Sequence, residues 1–477
     1  MKNLKMYING KFVESKSGKW IDVLNPSTEE VISRQPEGNK EDIEEALDAA
    51  RKAQKGWENT PVIQRAEYLK KIAQGIRDRR VEFIEIIMRE QGKTRSWATI
   101  EVDATISYFD YMASFARHIE GEIIPSDNPG ETILLSKKPI GVVAGILPWN
   151  FPFFLIARKA GAALIAGCSI VVKPAQLTPE NCCVFAEVVD SVGLPAGLFN
   201  VVTGKGSVVG HELAASPKID IVSVTGSVGA GESIMKDAAT NITKVSLELG
   251  GKAPVIVFPD ADLDLAAQAI LDSRIGNNGQ ICNNAERLYI HKDVKEALTK
   301  KLIEKFEAVK VGDPFSADDI DMGPLVEQRA LESVEAKVAL AVSQGAKVLC
   351  GGHRVGDKGY FYAATLLDNC RQDMDIVHEE TFGPVLPIIE WDDLDQVIAW
   401  ANDCEYGLAS SIFTNDINSA ARCLRELEFG ETYVNRFHFE AIQGFHAGVK
   451  KSGIGGADGK HGVEEYLRTH VTYLQTR

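Results

Sequence analysis

Between residues 139 and 251, short runs of β-branched and other apolar residues alternate with segments of helical length. The runs are apolar at nearly every position, which is typical of strands buried on both faces. Strands of this kind that alternate with helices predict a parallel, doubly wound α/β sheet. Such a sheet is a common nucleotide-binding architecture, although a fold alone does not fix function. The strands are predicted at 141–147, 169–173, 199–203, 219–225 and 244–249, and helices at 179–192 and 227–239.

The same alternation continues in a second α/β unit, from residue 253 to about residue 412. A helical pattern runs from about residue 40 to residue 118, where Ile43, Ala46 and Leu47 fall on one helix face. Two short strands precede it. Outside the first unit, strands are therefore predicted at 7–13, 20–23, 255–258 and 287–291, and helices at 263–275 and 294–309.

A hairpin is predicted between residues 120 and 138, with its turn at Asn128-Pro129-Gly130. Because it is inserted between a helical and an α/β region, we expect it to project and to need cover for its apolar residues. Another subunit is the obvious cover. The tail, residues 463–475, ends in a further strand that we expect to complete a sheet with the hairpin of another subunit.

Composition narrows the class of protein. Apolar residues make up 45% and charged residues 25% of the 477 positions, close to the globular average. The net charge, 52 − 67 = −15, with no basic block, argues against nucleic acid as a partner. No segment resembles a signal peptide or a membrane span, so we expect a cytoplasmic protein that does not bind membranes. The eight cysteines contain no CxxC pair and the nine histidines no HxxxH pair, so we predict reduced thiols and no metal site.

A glycine-rich loop follows the predicted strand 199–203 directly. Its glycines, Gly204, Gly206 and Gly210, are spaced GxGxxxG, and the loop opens a predicted helix. Glycine lets backbone N–H groups approach a pyrophosphate closely at such a position. The spacing is one residue longer than the common dinucleotide fingerprint, and glycine is frequent in strand-to-helix loops, so the motif alone leaves both interpretations open.

Cys282 differs from the other cysteines in its surroundings. It lies in a polar loop, Gly276-Asn-Asn-Gly-Gln-Ile-Cys282-Asn-Asn, between a predicted helix and a strand. Amide neighbours can stabilise a thiolate, so we expect a partly exposed nucleophile with a low pKa. No histidine is near it in the sequence, and a protease-type Cys–His pair is not indicated. We interpret the other seven cysteines as packing residues.

Glu248 and Asn150 both end apolar strands. Glu248 is followed by two glycines, and a carboxylate desolvated there would have a raised pKa and could act as a general base. An exposed glutamate at a strand end is the equally weighted alternative. Asn150 is held among prolines and aromatic residues, where its amide could donate a hydrogen bond to a developing oxyanion.

Taken together, these motifs resemble those of the aldehyde dehydrogenase superfamily along essentially the whole chain. The matching stretches are Pro148-Trp-Asn-Phe-Pro152, Lys173-Pro174, the GxGxxxG loop, Thr225-Gly-Ser227, Leu247-Glu-Leu-Gly-Gly251, Gly279-Gln-Ile-Cys282, Glu379-Glu-Thr-Phe-Gly-Pro384 and Lys451-Ser-Gly-Ile-Gly455. The resemblance implies a Rossmann-type parallel-sheet domain for NAD(P) at 1–119 and 140–248. It also implies an α/β catalytic domain at 249–446 and an oligomerisation element at 120–139 and 463–477, with a tetramer favoured over a dimer.

The resemblance also implies roles for individual residues. Cys282 would attack the aldehyde carbon, Asn150 and the Cys282 backbone N–H would hold the oxyanion, and Glu248 would activate the water that hydrolyses the thioester. The cofactor would contact residues at the strand ends and in the glycine-rich loop. These are Leu147, Pro148, Trp149, Lys173, Gln176, Gly206, Gly210, Thr225, Ser227, Leu249, Glu380 and Phe382.

Gln176 departs from the pattern of the NAD-preferring members, many of which carry glutamate three residues after the lysine that corresponds to Lys173. A neutral amide can bind the ribose diol, but it does not repel a 2′-phosphate. We therefore expect NAD as the cofactor, with NADP as an alternative.

Within the superfamily, Phe151–Lys159 and Phe439–Gly448 are most similar to bacterial enzymes that oxidise lactaldehyde and glycolaldehyde. By that resemblance Arg158, Asn283, Glu440 and His446 would line a pocket for a small hydroxylated aldehyde. Arg158 could equally hold a carboxylate, which makes succinate semialdehyde the alternative substrate. The structural alternative is that Arg158 caps its helix and His446 packs in a loop. A CoA-acylating enzyme and a non-enzymatic binding protein are the alternatives from other classes.

Overall fold

The computed structural model describes residues 1–477. Fifteen α-helices and 23 strands make up its regular structure. The strands are β1 (Lys2–Asn3), β2 (Met6–Ile8), β3 (Lys11–Val13), β4 (Trp20–Leu24), β5 (Val31–Pro36), β6 (Glu122–Pro125), β7 (Glu131–Pro139), β8 (Val142–Ile146), β9 (Ser169–Lys173), β10 (Phe199–Val201), β11 (Ile221–Thr225), β12 (Lys244–Glu248), β13 (Ala253–Val257), β14 (Ala285–His291), β15 (Lys347–Cys350), β16 (Thr365–Asp368), β17 (Val385–Trp391), β18 (Tyr406–Gly407), β19 (Ala409–Phe413), β20 (Glu431–Val434), β21 (Val449–Lys450), β22 (Gly453–Ile454) and β23 (Leu467–Gln475).

The helices connect these strands and cover the faces of the sheets. None of them has both the length and the apolar character that crossing a membrane requires. They are α1 (Lys40–Trp57), α2 (Val62–Asp78), α3 (Arg80–Glu90), α4 (Arg95–Ser114), α5 (Phe154–Ala166), α6 (Glu180–Ser191), α7 (His211–Ala214), α8 (Val228–Ala239), α9 (Leu263–Ile275), α10 (Lys292–Glu307), α11 (Gln328–Ser343), α12 (Asp375–His378), α13 (Leu394–Asn402), α14 (Ile417–Glu426) and α15 (Gly459–Glu464).

An eight-stranded sheet contains the five strands predicted between residues 139 and 251. Its order is β22-β12-β11-β8-β9-β10-β2-β3, and β12 to β10 are parallel. The chain starts in the centre at β8, moves outward through β9 and β10, and returns to the other side of β8 as β11 and β12. This confirms the Rossmann-type sheet, and the order reverses between β8 and β11, where sheets of this class bind ligands beyond the carboxyl ends of their strands.

A seven-stranded sheet carries the second α/β unit, in the order β15-β16-β17-β14-β13-β19-β20. All neighbours are parallel except β15, which pairs antiparallel with β16. Apolar residues from β13, β14 and β17 are buried on both faces of this sheet, among the helices. The polar loop that holds Cys282 leads into β14, so it lies at the amino end of that strand.

The hairpin and the tail form one three-stranded sheet within the same chain. The tail strand β23 pairs antiparallel with β7 over its whole length, from Leu467 opposite Pro139 to Gln475 opposite Glu131. The expectation that the tail would complete the hairpin of another subunit is therefore wrong for this pairing. The predicted hairpin itself, with its turn between β6 and β7, is confirmed.

Local signals explain the main element boundaries. Helix α1 begins after Asn39, which accepts a hydrogen bond from Asp42 N while the Asp42 side chain caps Asn39 in return. The glycine-rich loop departs from the prediction: residues 206–210 form a wide π-type turn, followed by only the four-residue helix α7. Strands β1 and β5 are not predicted from the sequence, since they pair only with each other and with β4 at the surface.

Candidate active site

A cavity of about 880 Å³ lies beyond the carboxyl ends of β8, β9, β11 and β12 and meets the Cys282 loop. All the predicted site residues except Glu248 and His446 line it, and those two contact lining residues from behind. The lining therefore includes Leu147, Pro148, Trp149, Asn150, Arg158, Lys173, Gln176, Gly206, Gly210, Thr225, Ser227, Leu249, Cys282, Asn283, Glu380, Phe382 and Glu440.

The loop that carries Cys282 is fixed by its own amides. Asn277 has a left-handed backbone conformation, with φ of 47°, and its Nδ2 donates to Gln280 O over 3.1 Å. Gln280 Oε1 accepts a hydrogen bond from Val326 N at 3.0 Å, so the loop is tied to a distant part of the chain. A Cβ at Gly279 would lie 2.2 Å from Gly383 O, so this turn excludes any larger residue.

Cys282 itself is partly exposed, as expected, but its pKa is not low. Burial of the thiol raises its pKa above the ordinary value of 9.0, and the Glu440 carboxylate adds to the rise. His446 and Arg158 act in the opposite direction without cancelling it. The expectation of a low pKa is therefore wrong for the free protein, because desolvation outweighs the nearby polar groups.

Asn150 is positioned by buried donors. Its carbonyl oxygen accepts from Lys93 Nζ at 2.6 Å and from Asn277 Nδ2 at 3.1 Å. Its side-chain Nδ2 donates to Gln280 O at 3.1 Å, two residues before Cys282, and the second hydrogen of this amide remains for another acceptor. The Asn150 side chain and the thiol are thus held against the same loop, as an oxyanion site requires.

Glu248 ends β12 and is almost fully buried. Burial works to raise its pKa, but the Lys159 and Arg158 cations outweigh this, and the pKa is lower than the ordinary 4.5. The expectation of a raised pKa is wrong because two cations on α5 face this carboxylate. Its Oε2 accepts from Thr225 Oγ1 at 3.2 Å and lies 3.6 Å from Arg158 Nη1. Glu248 is therefore ionised at neutral pH.

Arg158 is surrounded by carboxylates rather than free. Its Nε and Nη2 donate to the two oxygens of Asp458, at 3.0 and 2.7 Å, and Nη2 also donates to Glu440 Oε1 at 3.0 Å. Glu440 Oε2 in turn accepts from Asn283 Nδ2 at 2.9 Å. Asp458 has a φ of 71°, outside the usual range for aspartate, and no motif in the sequence indicates that it would hold Arg158.

His446 is only 2% exposed, and its Nδ1 donates to Glu431 Oε1 at 2.5 Å. The imidazole also acts on the Cys282 thiol and lowers its pKa, against the effect of burial. The prediction that Cys282 has no Cys–His pair is therefore wrong. Although no histidine is near Cys282 in the sequence, the fold brings His446 to it from the C-terminal region. Sequence reasoning missed Glu431 as its partner, because nothing in the neighbouring residues marks it.

His438 is a second buried histidine that lines the cavity, and sequence reasoning missed it too. Its Nδ1 pairs with Ser273 Oγ at 2.9 Å, and its Nε2 has no partner. Burial, with the charges of Arg274 and Arg436, lowers the pKa of His438 to about 3, so it is neutral. The aromatic neighbours Phe437 and Phe439 give no signal for this residue.

The part of the cavity next to the Rossmann-type sheet fits a dinucleotide. A Cβ at Gly206 would meet nothing within 4 Å, so the backbone of this turn is open to a ligand's phosphates. Lys173, at the end of β9, has a pKa lowered to about 8 by burial, and its Nζ donates to Pro174 O at 2.8 Å. Ser227 caps α8 at the cavity wall by accepting from Ala230 N.

Glu380 and Phe382 bring the second unit to the same cavity. Glu380 Oε1 accepts from Gly251 N at 2.9 Å, and burial, with the Glu286 charge, raises its pKa to about 7. Phe382 packs edge-on against Trp149, with ring centroids 5.4 Å apart. Gln176 is held by its backbone, since its carbonyl oxygen accepts from Gln35 Nε2 at 2.6 Å, and its side chain remains available to the cavity.

Comparison with known proteins agrees with this geometry. The model of the aldehyde dehydrogenase family matches residues 12–472. The lactaldehyde dehydrogenase of Escherichia coli K12 is 57% identical over 471 residues, which cover 99% of this chain and 98% of that enzyme. The 3,6-anhydro-alpha-L-galactose dehydrogenase of Vibrio sp. EJY3 is 45% identical over 478 residues, covering 99% of each chain. A crystal structure of E. coli lactaldehyde dehydrogenase has a TM-score of 0.99, 56% identity and complete coverage of both chains.

Proposed function

The chain belongs to the aldehyde dehydrogenase family, and from this premise we propose that it oxidises a small hydroxylated aldehyde, such as lactaldehyde or glycolaldehyde, to the carboxylic acid. Oxidation of an aldehyde with a nicotinamide cofactor is the activity of the family. The narrower substrate class is supported by one observation above all: Arg158 is already paired with carboxylates of its own chain, in a pocket that also presents the amide of Asn283.

The proposed reaction starts with attack of the Cys282 sulfur on the aldehyde carbon, which forms a thiohemiacetal. The Asn150 amide and the Cys282 backbone N–H donate to its oxyanion. Lys173, Glu380 and Phe382 would help to hold a nicotinamide cofactor, which would supply the hydride acceptor, and loss of the hydride leaves a thioester on Cys282. Glu248, ionised beside Thr225 and Arg158, takes a proton from water, whose oxygen attacks the thioester carbon and releases the acid and the thiol.

The pairing of Arg158 weighs against a carboxylate-bearing substrate. A semialdehyde would bring its own carboxylate to a guanidinium that already faces Asp458, Glu440 and Glu248. Like charges at such distances in a buried site are strongly unfavourable. A hydroxyl group has no such cost and can both donate to a carboxylate and accept from an amide. Succinate semialdehyde therefore remains the second candidate.

A panel of aldehydes tests the substrate class. We expect kcat/KM for lactaldehyde or glycolaldehyde to exceed that for succinate semialdehyde by at least about tenfold, since hydrogen-bonding pockets reject poorly matched groups by more than this. The measurement is the initial rate of NAD(P)H formation with both dinucleotides, with propanal as the apolar control. In Glu440→Gln, which removes one carboxylate from Arg158, the ratio should move towards succinate semialdehyde. A wild-type preference for succinate semialdehyde would instead assign Arg158 as a carboxylate clamp.

A CoA-acylating enzyme is the alternative in which CoA, instead of water, accepts the acyl group from the thioester. Transfer of the acyl group to a thiol needs no base that activates water, whereas Glu248 is held ionised near the thioester position. Product analysis with and without CoA separates the two reactions, and free acid in both conditions supports hydrolysis.

We propose NAD as the preferred dinucleotide, with NADP accepted. Gln176, on the loop after β9, can bind a ribose diol through its amide, but it carries no charge against a 2′-phosphate. In Gln176→Glu we expect the kcat/KM ratio of NAD over NADP to rise by roughly tenfold or more, because a carboxylate repels the phosphate. Steady-state kinetics with the two cofactors gives the ratio. Gln176→Asn is the matched neutral control, and a ratio in Gln176→Glu equal to the wild-type value would remove this residue from cofactor selection.

The hairpin and tail sheet supports our proposal that the protein forms a homo-oligomer, a tetramer in preference to a dimer. Its strands β6 and β23 leave large apolar side chains exposed, including Ile123, Tyr473 and Leu474. Both edges of this sheet are open within one chain, because β7 occupies the middle. We further propose that residues 1–119 and 140–248 bind the cofactor, and that 249–446 carry the catalytic cysteine.

A further inference from the structure

Glu431 and His446 form a buried pair that is linked through Tyr433 to the loop of the nucleophile. The pair is short, with 2.5 Å between Glu431 Oε1 and His446 Nδ1, and the two side chains are 12% and 1% exposed. Since Nδ1 is used for Glu431, Nε2 is the nitrogen that remains for the Cys282 side. Neither Glu431 nor this pairing takes part in the steps of the proposed reaction.

The position of Glu431 is fixed from several directions. It begins β20, where its N–H donates to Leu408 O at 3.0 Å and its carbonyl oxygen accepts from Ser410 Oγ at 3.2 Å. Its second carboxylate oxygen accepts from Tyr433 Oη at 2.5 Å. Asn283 Nδ2 donates to the same Tyr433 oxygen at 3.3 Å, so the residue after Cys282 belongs to the same network. The backbone contacts fix the position of the residue, and the carboxylate cannot swing away from the imidazole without breaking its hydrogen bond with Tyr433.

The charges around His446 come from several elements. Glu431 faces it from β20, Arg158 from α5, Glu248 from β12, and Glu440 and Asp458 from the C-terminal loops. Burial and Arg158 work to lower the pKa of His446, but Glu431 and the hydrogen bonds to Glu431 and Cys282 raise it well above the ordinary 6.5. The direction of this shift favours the protonated imidazolium.

We propose that the Glu431–His446 pair holds a permanent imidazolium against Cys282 and stabilises its thiolate before the aldehyde arrives, with His446 as a catalytic residue and Glu431 as the residue that positions and charges it. This inference deepens the proposed function, which supplies Cys282 as the nucleophile. The ionisation is a simple equilibrium: the thiol proton leaves to water in the cleft, and the sulfur keeps the electron pair beside the cation. His446 is thus more than a substrate contact, because its charge acts on the sulfur whether or not substrate is present.

His438 provides a natural comparison within the same site. Both histidines are buried beside the cleft and come from the same segment, eight positions apart, yet His438 pairs with a neutral hydroxyl, Ser273 Oγ, instead of a carboxylate. The pKa of His438 is therefore lowered, whereas that of His446 is raised. A variant of His438 reports on the loss of a buried imidazole near the site without the loss of a charge.

Alkylation of the free enzyme by iodoacetamide measures the thiolate directly. The rate at which the Cys282 peptide is labelled, followed by mass spectrometry from about pH 6 to about pH 11, gives the apparent pKa of this thiol alone. An opposite charge at this range shifts a pKa by about 1–3. In Glu431→Gln and in His446→Gln we expect the apparent pKa of Cys282 to rise by at least about 1. Labelling at pH 7 should therefore slow about tenfold or more, since the thiolate fraction falls in proportion.

Two matched variants separate charge from structure. Glu431→Asp keeps the carboxylate and is expected to retain most of the wild-type profile, whereas a purely structural role predicts damage at least equal to that in Glu431→Gln. His438→Gln is expected to leave the labelling profile unchanged. Thermal unfolding and cofactor titration check that each variant is folded. Glu431→Gln and His446→Gln give two independent measurements of the same quantity, the apparent pKa of Cys282.

Superimposable profiles for wild type, Glu431→Gln and His446→Gln would overturn the proposal and leave His446 as a residue that only contacts substrate. A shift in His438→Gln equal to that in His446→Gln would overturn it as well, because the effect would then not depend on the charge. The labelling uses no aldehyde, so its result is independent of the substrate panel. If the aldehyde panel shows no preference for a hydroxylated aldehyde but the labelling profile shifts in the variants, only the proposed substrate class is wrong.

Discussion

Replacement of Cys282 by alanine is expected to abolish turnover of every aldehyde while the cofactor still binds. The change removes the sulfur that would form both the thiohemiacetal and the thioester, and loss of a covalent nucleophile costs about 10⁴-fold or more in kcat. The side chain is partly exposed and small, so the free energy of unfolding should change by no more than about 1 kcal/mol. NAD(P)H formation measures turnover, and quenching of tryptophan fluorescence by the dinucleotide measures binding.

Cys404 provides the matched control for this variant. It is the other partly exposed cysteine in the chain, and its thiol donates to Tyr406 O at 3.3 Å, away from the cavity. Cys404→Ala should keep kcat within about twofold of wild type. Turnover by Cys282→Ala at more than about one hundredth of the wild-type rate would contradict the covalent mechanism, provided that the purified variant contains no wild-type enzyme.

The sequence predicts the central strands well because each is apolar along its whole length. Val143, Val171 and Val222 are fully buried, and strands covered on both faces leave this continuous pattern. The antiparallel edge strands are harder to predict. Strand β22 has only two residues, and it exists because Gly453 and Ile454 pair with the distant β12. Pairing across such a separation leaves no local signal.

The tail strand shows the same limit in another form. Its alternating residues predict a strand, but they do not say which edge it joins. The nine paired positions between β23 and β7 decide this in favour of the same chain. The partner of an edge strand depends on where the intervening chain places it, which short-range patterns do not encode.

The candidate site also has features that the sequence predicts and features that it does not. Asn150 and Glu248 stand out because each interrupts or ends an apolar stretch with a polar group, and Cys282 stands out because its loop is polar. The structure brings all three to one cavity or its wall. The directions of the pKa shifts of Glu248 and Cys282 do not follow from the sequence. The shift of Glu248 depends on Lys159 and Arg158, whose charges reach it only through packing, and the shift of Cys282 depends on the burial of its thiol.

Lys159 illustrates why the sequence does not predict the direction of the pKa shift of Glu248. It lies on α5, where every residue is buried, and its Nζ donates to Ser223 Oγ at 3.1 Å. From the sequence it is one of two adjacent basic residues, and nothing in that pair indicates which carboxylate it will face. The burial of Glu248 alone predicts a raised pKa, and only the position of the two cations reverses the direction.

Replacement of Glu248 by glutamine is expected to leave thioester formation largely intact and to block its hydrolysis. The amide keeps the shape of the carboxylate but cannot take a proton from water, and removal of a general base typically slows a reaction by about 10²–10⁴-fold. Stopped-flow measurements should show a burst of about one NAD(P)H per active site, followed by a steady state that is slower by that factor. Intact-protein mass spectrometry should detect the acyl group on Cys282.

The pH dependence of the wild-type enzyme follows from the same residue. Because the pKa of Glu248 is lowered below 4.5, its base form is present throughout the neutral range and is lost only as the pH falls through that lowered value. Hydrolysis of the thioester should therefore show no acidic limb from this group above about pH 6. A limb centred near pH 7 that disappears in Glu248→Gln would mean that the Lys159 and Arg158 cations do not control this carboxylate.

Hydroxylamine distinguishes hydrolysis from the earlier steps in Glu248→Gln. This nucleophile attacks a thioester without help from a base, so it should restore turnover in Glu248→Gln and yield the hydroxamate, whereas Cys282→Ala, which forms no thioester, should gain nothing. A burst that vanishes together with the steady state would place Glu248 before the thioester, in the formation of the thiolate. The Glu431–His446 pair already offers a charge for formation of the thiolate. A preserved burst therefore assigns Glu431 to the formation of the thioester and Glu248 to its hydrolysis.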